Sequence, residues 1–187
     1  MMAVAHDLSP LTALFGNGVL WWGLAACGLA QLSKLLIELV QHRRWRPAVL
    51  FETGGMPSSH SALLTGTTAA LGWQQGFGDP LFALAATLCF VVLYDAAGVR
   101  RAAGLTAQRL NGLPDTLWPG PAGDPEPAVA ASGAVPPRPP LKENLGHTRL
   151  EVLIGSLMGP AVALPGLVFV GSPLELALRW GILPQLA

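Results

Sequence analysis

Residues 11–33 read LTALFGNGVLWWGLAACGLAQLS, a run without one Asp, Glu, Lys or Arg. The apolar pattern continues past Lys34 to about Val40. Crossing the hydrocarbon of a bilayer takes about 20 apolar residues in a helix, within a range of roughly 17–25. This run meets that length, so the chain reads as an integral membrane protein. Three more uncharged stretches extend the reading: Ser61 to Gly78, Pro80 to Tyr94 and Val152 to Leu174. The last is long enough to span by itself. The middle two are shorter and separated only by a turn around Gly76, Gly78, Asp79 and Pro80, which suggests a hairpin of two spans. The expectation is an all-α bundle of about four transmembrane helices, with a short amphipathic helix near Leu174 to Trp180.

Composition agrees. Of 187 residues, 51% are hydrophobic and 12% charged, and the mean hydropathy is +0.47. A soluble domain carries about 25% charged residues, and disorder needs the opposite bias. Eleven basic residues balance 11 acidic ones, so no nucleic-acid partner is expected. Cys27 and Cys89 lie in apolar runs, where a thiol acts as a small hydrophobe. They offer neither a disulfide framework nor ligand spacing, so no metal and no cofactor is expected. No cleavable secretory signal is evident, because the first ten residues hold His6 and Asp7 but no basic run; Ser9-Pro10 looks like a capped helix start instead.

With four spans, residues 41–57 and 100–149 share one face. They hold Arg43, Arg44, Arg46, Arg100, Arg101, Arg109, Arg138, Lys142 and Arg149, nine of the 11 basic residues. The positive-inside tendency makes that face cytoplasmic, with both termini outside. Residues 1–187 then form a single membrane domain. Within it, residues 112–140 hold nine of the 17 prolines and read as a flexible cytoplasmic linker. Residues 141–149 return to charged, helix-forming character and lead into the last span.

Charges at membrane depth cost about 2.5–3.5 kcal/mol on insertion scales, so each one calls for a reason. Lys34 and Glu38 share a helix face at i, i+4, as a snorkelling pair or as a cation aimed at an anion. Gly54-Gly55-Met56-Pro57-Ser58-Ser59-His60-Ser61 combines a glycine pair, a turn, a cap and a histidine. It reads as an anion-binding helix start with a proton donor, or as an ordinary interfacial one. Asp95 ends an uncharged run and is followed by Arg100 and Arg101, which also suit a stop-transfer signal. Gln108, Arg109 and Asn111 beyond them suit a surface. His147 and Glu151 stand at i, i+4, so a carboxylate can orient the imidazole; a solvated helix start is the plain alternative. His42-Arg43-Arg44-Trp45-Arg46-Pro47 suits an anionic-lipid anchor. Together the first four clusters suit phosphoryl transfer without metal, in which one histidine attacks phosphorus and another protonates the leaving oxygen.

At these residues the sequence resembles a known family. Gly-Gly-Met-Pro-Ser-Ser-His-Ser-Ala (54–62), Tyr-Asp-Ala-Ala-Gly-Val-Arg-Arg-Ala-Ala-Gly (94–104) and Leu-Lys-Glu-Asn-Leu-Gly-His-Thr-Arg-Leu-Glu-Val (141–152) look like the divergent branch of the type-2 phosphatidic acid phosphatases. That family is related to bacterial acid phosphatases and vanadium-dependent haloperoxidases. The resemblance covers about Gln31 to Gly159 without the Pro-rich linker. It implies an all-helical membrane fold and hydrolysis through a phosphohistidine.

Carried over, His147 is the nucleophile, Glu151 stands where the family has a supporting Asp, and His60 is the general acid. Lys34 binds phosphate, and Ser58, Ser59 and Gly55 form an anion nest. Ser59 replaces the family glycine, Arg46-Pro47 comes later than the usual first-motif spacing, and Leu141 beside Lys142 stands where the family has an Arg. Arg100, Arg101 or Lys142 is expected to supply that charge, with Asp95 part of the catalytic set. The implied function is a membrane-embedded, metal-independent phosphatase. It would act on a lipid phosphate or other phosphomonoester or diphosphate at the cytoplasmic face, with a phosphorylated membrane lipid as partner. The alternatives are a non-catalytic protein that kept the anion cradle, and a zinc site built from His60, Asp95, His147 and Glu151.

Overall fold

A computed structural model describes residues 9–43, 45–50, 54–114 and 139–182, all regular structure among them being helical. The first apolar run is not one helix. It divides into α1 (Pro10–Phe15) and α2 (Gly18–His42). Asn17 makes the break: its side chain accepts the Leu20 N–H at 3.0 Å and caps α2. Asparagine competes for backbone donors in this way, and its flanking glycines favour helix weakly. Ser9 caps α1 as expected, accepting the Thr12 N–H at 3.3 Å. At 25 residues, α2 is about 37 Å long.

The remaining elements are α3 (Ser59–Gln75), α4 (Pro80–Ala97), α5 (Val99–Asn111), α6 (Arg149–Pro165) and α7 (Pro173–Arg179). Asp79 caps α4 through the Leu81 N–H at 2.7 Å. A π-helical turn, Gly166–Val170, extends α6. The short C-terminal helix expected near Leu174 is α7, closed by a Ser172–Glu175 capping box. Of the Pro-rich segment, residues 115–138 lie outside the described residues.

Three helical runs, Gly18–Gln41, Pro80–Asn111 and Arg149–Arg179, are long and apolar enough to cross a membrane. Helix α3 has 17 residues, about 25 Å, and is packed between α2 and α6. It buries Ser59, Ser61, Ala62, Gly66, Ala70 and Gly72. Side chains this small serve contact with other helices, where close approach replaces the hydrophobic effect as the driving force. On α6 the matching positions are Gly155 and Gly159. A Cβ on Gly159 would meet the Ala62 carbonyl at 2.5 Å and the Gly66 nitrogen at 2.6 Å, and one on Gly155 would collide with Ser58. Ala26 and Ala30 of α2 complete this core with Ala62, backed by Met158 and Val162.

This crossing fixes the two ends of the bundle. At one end the Ser58 N–H donates to the Glu151 carbonyl at 3.1 Å and the His147 N–H to the Ala96 carbonyl at 3.0 Å. There too Gln31 Nε2 donates to the Leu50 carbonyl at 2.7 Å. At the other, Trp22 Nε1 donates to the Gly171 carbonyl at 2.8 Å. The polar motifs therefore share one end.

Candidate functional site

The third motif is expected to be helical through His147, but α6 starts only at Arg149, with Thr148 as its cap. Residues 139–148 are not helical, so His147 precedes the helix instead of lying on its face. Its contact with Glu151 arises differently. Glu151 is the third residue of α6 and the second half of a capping box. Its Oε2 accepts the Thr148 N–H at 2.9 Å, while Thr148 Oγ1 accepts the Glu151 N–H at 3.2 Å. The same Oε2 accepts from His147 Nδ1 at 3.1 Å. One carboxylate thus starts the helix and holds the imidazole by its Nδ1.

His147 is 4% exposed. Burial pushes its imidazole below the ordinary range. The Glu151 hydrogen bond and charge oppose that, Lys34 adds to it, and a hydrogen bond to the Gly55 backbone opposes it again.

Helix α5 holds the segment that carries His147. Asn111, its last residue, accepts the Leu141 N–H at 2.9 Å on Oδ1; its Nδ2 donates to the Leu141 carbonyl at 2.9 Å and to Glu143 Oε1 at 2.7 Å. Gly146 adopts a φ of +76° and lies directly on the Arg100–Arg101 backbone, where no Cβ fits. A left-handed backbone and this contact both demand glycine. The second and third expected motifs are therefore interlocked.

Between these elements lies a cavity of about 400 Å³. Helix α2 contributes Lys34, Ile37 and Glu38, α5 contributes Arg101 and α6 contributes Glu151; Arg46, Val49, Gly54–Met56 and Glu143–Gly146 complete the wall. Gly54 and Gly55 have φ of +118° and +75°, so the chain bends into the cavity there without side chains. Lys34 is 4% exposed and makes no ion pair among the described residues. Glu38, its expected partner, pairs with Arg46 at 3.7 Å instead. Lys34 does interact electrostatically with Glu151, His147 and His60, and His60 in turn with His147 and Arg100.

The expected site residues therefore divide. Lys34, Gly55, Arg101 and Glu151 line the cavity; His147 is packed behind its Gly146–Glu151 wall. His60 is exposed and off the wall, within electrostatic range of His147 and Lys34. Three of the expected residues stand elsewhere. Ser58 cannot offer its N–H to an anion, because the Glu151 carbonyl takes it. Its hydroxyl accepts the Ser61 N–H at 3.3 Å and bonds the Ser61 hydroxyl at 2.8 Å, and both Ser58 and Ser59 are buried. Asp95 is not on the wall: it hydrogen-bonds Arg100 across the Gly98 joint between α4 and α5. Lys142 is exposed and also off the wall. Among the described residues no three His, Cys, Asp or Glu side chains gather as a ligand set. Asn111, Glu143, Arg46 and Gly104 are site elements without a particular role in the sequence reading: Asn111 suited a surface, Arg46 belonged to a basic run, and Glu143 and Gly104 stood inside the quoted motifs. For Gly104, whose face takes the Glu143 and Leu145 backbone, the one available signal was its place in a glycine-bearing motif.

A helical membrane bundle with a polar, cation-bearing cavity lined by α2, α5 and α6 is the class defined by these features. The chain belongs to the Divergent PAP2 family, whose model matches residues 15–162. It is 35% identical over 148 residues to the uncharacterized membrane protein YuiD of Bacillus subtilis (strain 168), covering 78% of this chain and 91% of that protein. No solved structure matches.

Proposed function

We propose that the chain is a membrane phosphatase that hydrolyses a phosphate ester or diphosphate, carried on a membrane lipid, through a phosphohistidine at His147. The observation that carries this reading is the buried Lys34, without an ion pair among the described residues, on the wall of the same cavity as the carboxylate that orients His147. A cation at 4% exposure is costly unless an anion stands or arrives beside it.

In the proposed reaction Lys34 and Arg101 hold the phosphoryl oxygens. His147 Nε2 attacks phosphorus, with Nδ1–H kept on Glu151. The N–P bond forms as the P–O bond to the leaving group breaks, and His60 gives its proton to the departing oxygen. Water, deprotonated by His60, then cleaves the N–P bond and releases phosphate. Burial holds the His147 imidazole below its ordinary range, which favours the neutral, attacking form. Arg43, Arg46, Arg100, Arg101, Arg109, Lys142 and Arg149 all belong to this end of the bundle, which supports a cytoplasmic site.

The test is phosphate release by the full chain in vesicles containing lipid phosphates and diphosphates. His147→Asn is expected to lower it by about 10³-fold or more at equal folded protein. No release from any such lipid by the wild type, or full release by the variant, would overturn the reading. A second reading, anion holding without turnover, is favoured by one observation: His147 lies behind the cavity wall, with Glu151 and the Gly55 backbone as its ring partners. Saturable, Lys34-dependent binding without release would select it.

A further inference from the structure

Two distant motifs meet at the joint between α4 and α5. In an unbroken helix the Ala96 carbonyl would accept the Arg100 N–H, four residues on. Gly98 interrupts the helix with φ −107° and ψ −83°, and the Ala96 carbonyl accepts the His147 N–H at 3.0 Å instead. Ala96 and His147 are both buried, so water cannot replace either group, and freeing one leaves the other unsatisfied. One residue earlier, Gly146 rests on the Arg100–Arg101 backbone. The end of α4 and the start of α5 are therefore the seat of the His147 backbone.

Asp95 and Arg100 bridge this seat. Asp95 lies in the last turn of α4 and Arg100 in the first turn of α5, and Arg100 Nε donates to Asp95 Oδ2 across Gly98. Each charge opposes the helix that carries it. A helix C-terminus favours a cation and an N-terminus an anion, whereas here the acid stands at the end and the base at the start. Neither helix accounts for its own residue; the pair across the joint accounts for both. Gly98 also gives α5 no side-chain cap, so the first turn lacks its usual anchor and the ion pair supplies one. Both residues are off the cavity wall.

Resting on the proposed phosphohistidine reading, we infer that Asp95 and Arg100 are positioning residues for His147: their pair sets the α4–α5 joint, and the joint places the imidazole through the His147 N–H. The Ala96 carbonyl holds the residue by its backbone, and Glu151 holds it by Nδ1 at 3.1 Å. A residue fixed at both points keeps one ring orientation. With the backbone released, the Glu151 contact alone no longer sets the line of attack. Neither Asp95 nor Arg100 touches the phosphoryl group or transfers a proton. Both side chains are partly exposed, so their pair contributes little to overall stability. Placement is more sensitive, because an ångström of error at a reacting group costs about 100-fold in rate.

The experiment uses the full chain in vesicles and measures amide exchange at His147 together with steady-state phosphate release from a lipid phosphate. Asp95→Ala leaves the Arg100 charge in place. It is expected to speed exchange at His147 while exchange at the α3–α6 crossing stays as in the wild type. Its kcat should fall by about 10–100-fold with KM unchanged, since the cavity wall keeps its cations. Asp95→Glu rebuilds the pair and should recover most of the lost rate. Arg100→Gln also removes a charge from the surroundings of His60; the double variant should be no slower than Arg100→Gln alone, because the two residues act as one unit. If Asp95→Ala does not fold, Asp95→Asn, which leaves Arg100 a neutral acceptor, carries the same expectations at smaller size. Unchanged exchange at His147, a loss that appears in KM, or losses that multiply in the double variant overturn the inference while phosphatase activity stands. If the wild type releases no phosphate, the catalytic reading fails instead. The His147 amide exchange and the nitrogen-15 shifts of its ring then decide the inference: both move in Asp95→Ala and return in Asp95→Glu, and signals that stay in place overturn it.

Discussion

Replacing Lys34 with methionine should make the empty protein more stable and the site useless. Lys34 is 4% exposed and lies about 12 Å in from the end of α2, at 1.5 Å per residue. A lysine at the centre of a membrane helix costs about 2.5–3.5 kcal/mol on insertion scales. Two features reduce that here: the polar cavity beside it, and the Glu151 carboxylate close enough to interact. Glu151 already serves two donors, so it offsets only part. Roughly half the cost remains, and methionine fills nearly the same space. Lys34→Met is therefore expected to raise the unfolding free energy by about 1–2 kcal/mol. The measurement is reversible unfolding in mixed micelles with rising SDS. The same variant should weaken phosphate-ester binding by about 100-fold, the loss of a charge-assisted hydrogen bond. Destabilisation by the substitution, or retained affinity, would refute the view that Lys34 is kept for an anion.

Glu151→Gln leaves a weaker, neutral acceptor and removes the negative charge that helps hold the His147 imidazole up against its burial. Its pKa should fall further, and because only the neutral ring attacks, the acid limb of phosphate release should move to lower pH; a limb moving to higher pH would contradict the assignment. The plateau should drop as well, since a neutral amide orients the ring less firmly than a carboxylate. Asn111→Ala cuts three hydrogen bonds to residues 141 and 143. It should cost about 1–2 kcal/mol and speed hydrogen exchange in 141–147 while exchange at the α3–α6 crossing stays as before; unchanged exchange in that segment would show that the clamp does not hold it. Gly159→Ala places a methyl within 2.5 Å of the Ala62 carbonyl and should cost about 1–3 kcal/mol in detergent stability. Gly28→Ala, with nothing within 4 Å, should be neutral or slightly stabilising, and equal effects at the two sites would argue against the crossing.

Much of this was legible in the residues, though not always for the right reason. The spacing of His147 and Glu151 pointed to their contact. The contact is real, but it is made by a capping box at a helix start and not by a shared helix face. Ser58 was read as an anion donor because serines before a helix usually leave N–H groups free. Here the adjacent carbonyl of α6 takes that N–H, a partner more than 90 residues away that no local pattern reveals. Asp95 read as part of the chemistry because it ends an apolar run; in the fold it ties α4 to Arg100 of α5. Asn111 and Glu143 gave no signal at all, since a polar residue at a helix end and a glutamate in a charged segment are ordinary by themselves.

What the sequence determined alone was the solvent and the elements: charge-free runs of spanning length can only be buried in lipid or protein, and caps, prolines and glycines mark their ends. The tertiary structure decided which groups are satisfied and which are left over. Lys34 without its expected glutamate, Ser58 without a free donor and Glu143 on a neutral amide all depend on partners brought together by the Gly155–Gly159 crossing and the Gly146 contact. Hydrogen-bond and charge pairing between segments far apart in the chain is a property of packing, because each polar group's energy depends on the neighbour the fold gives it.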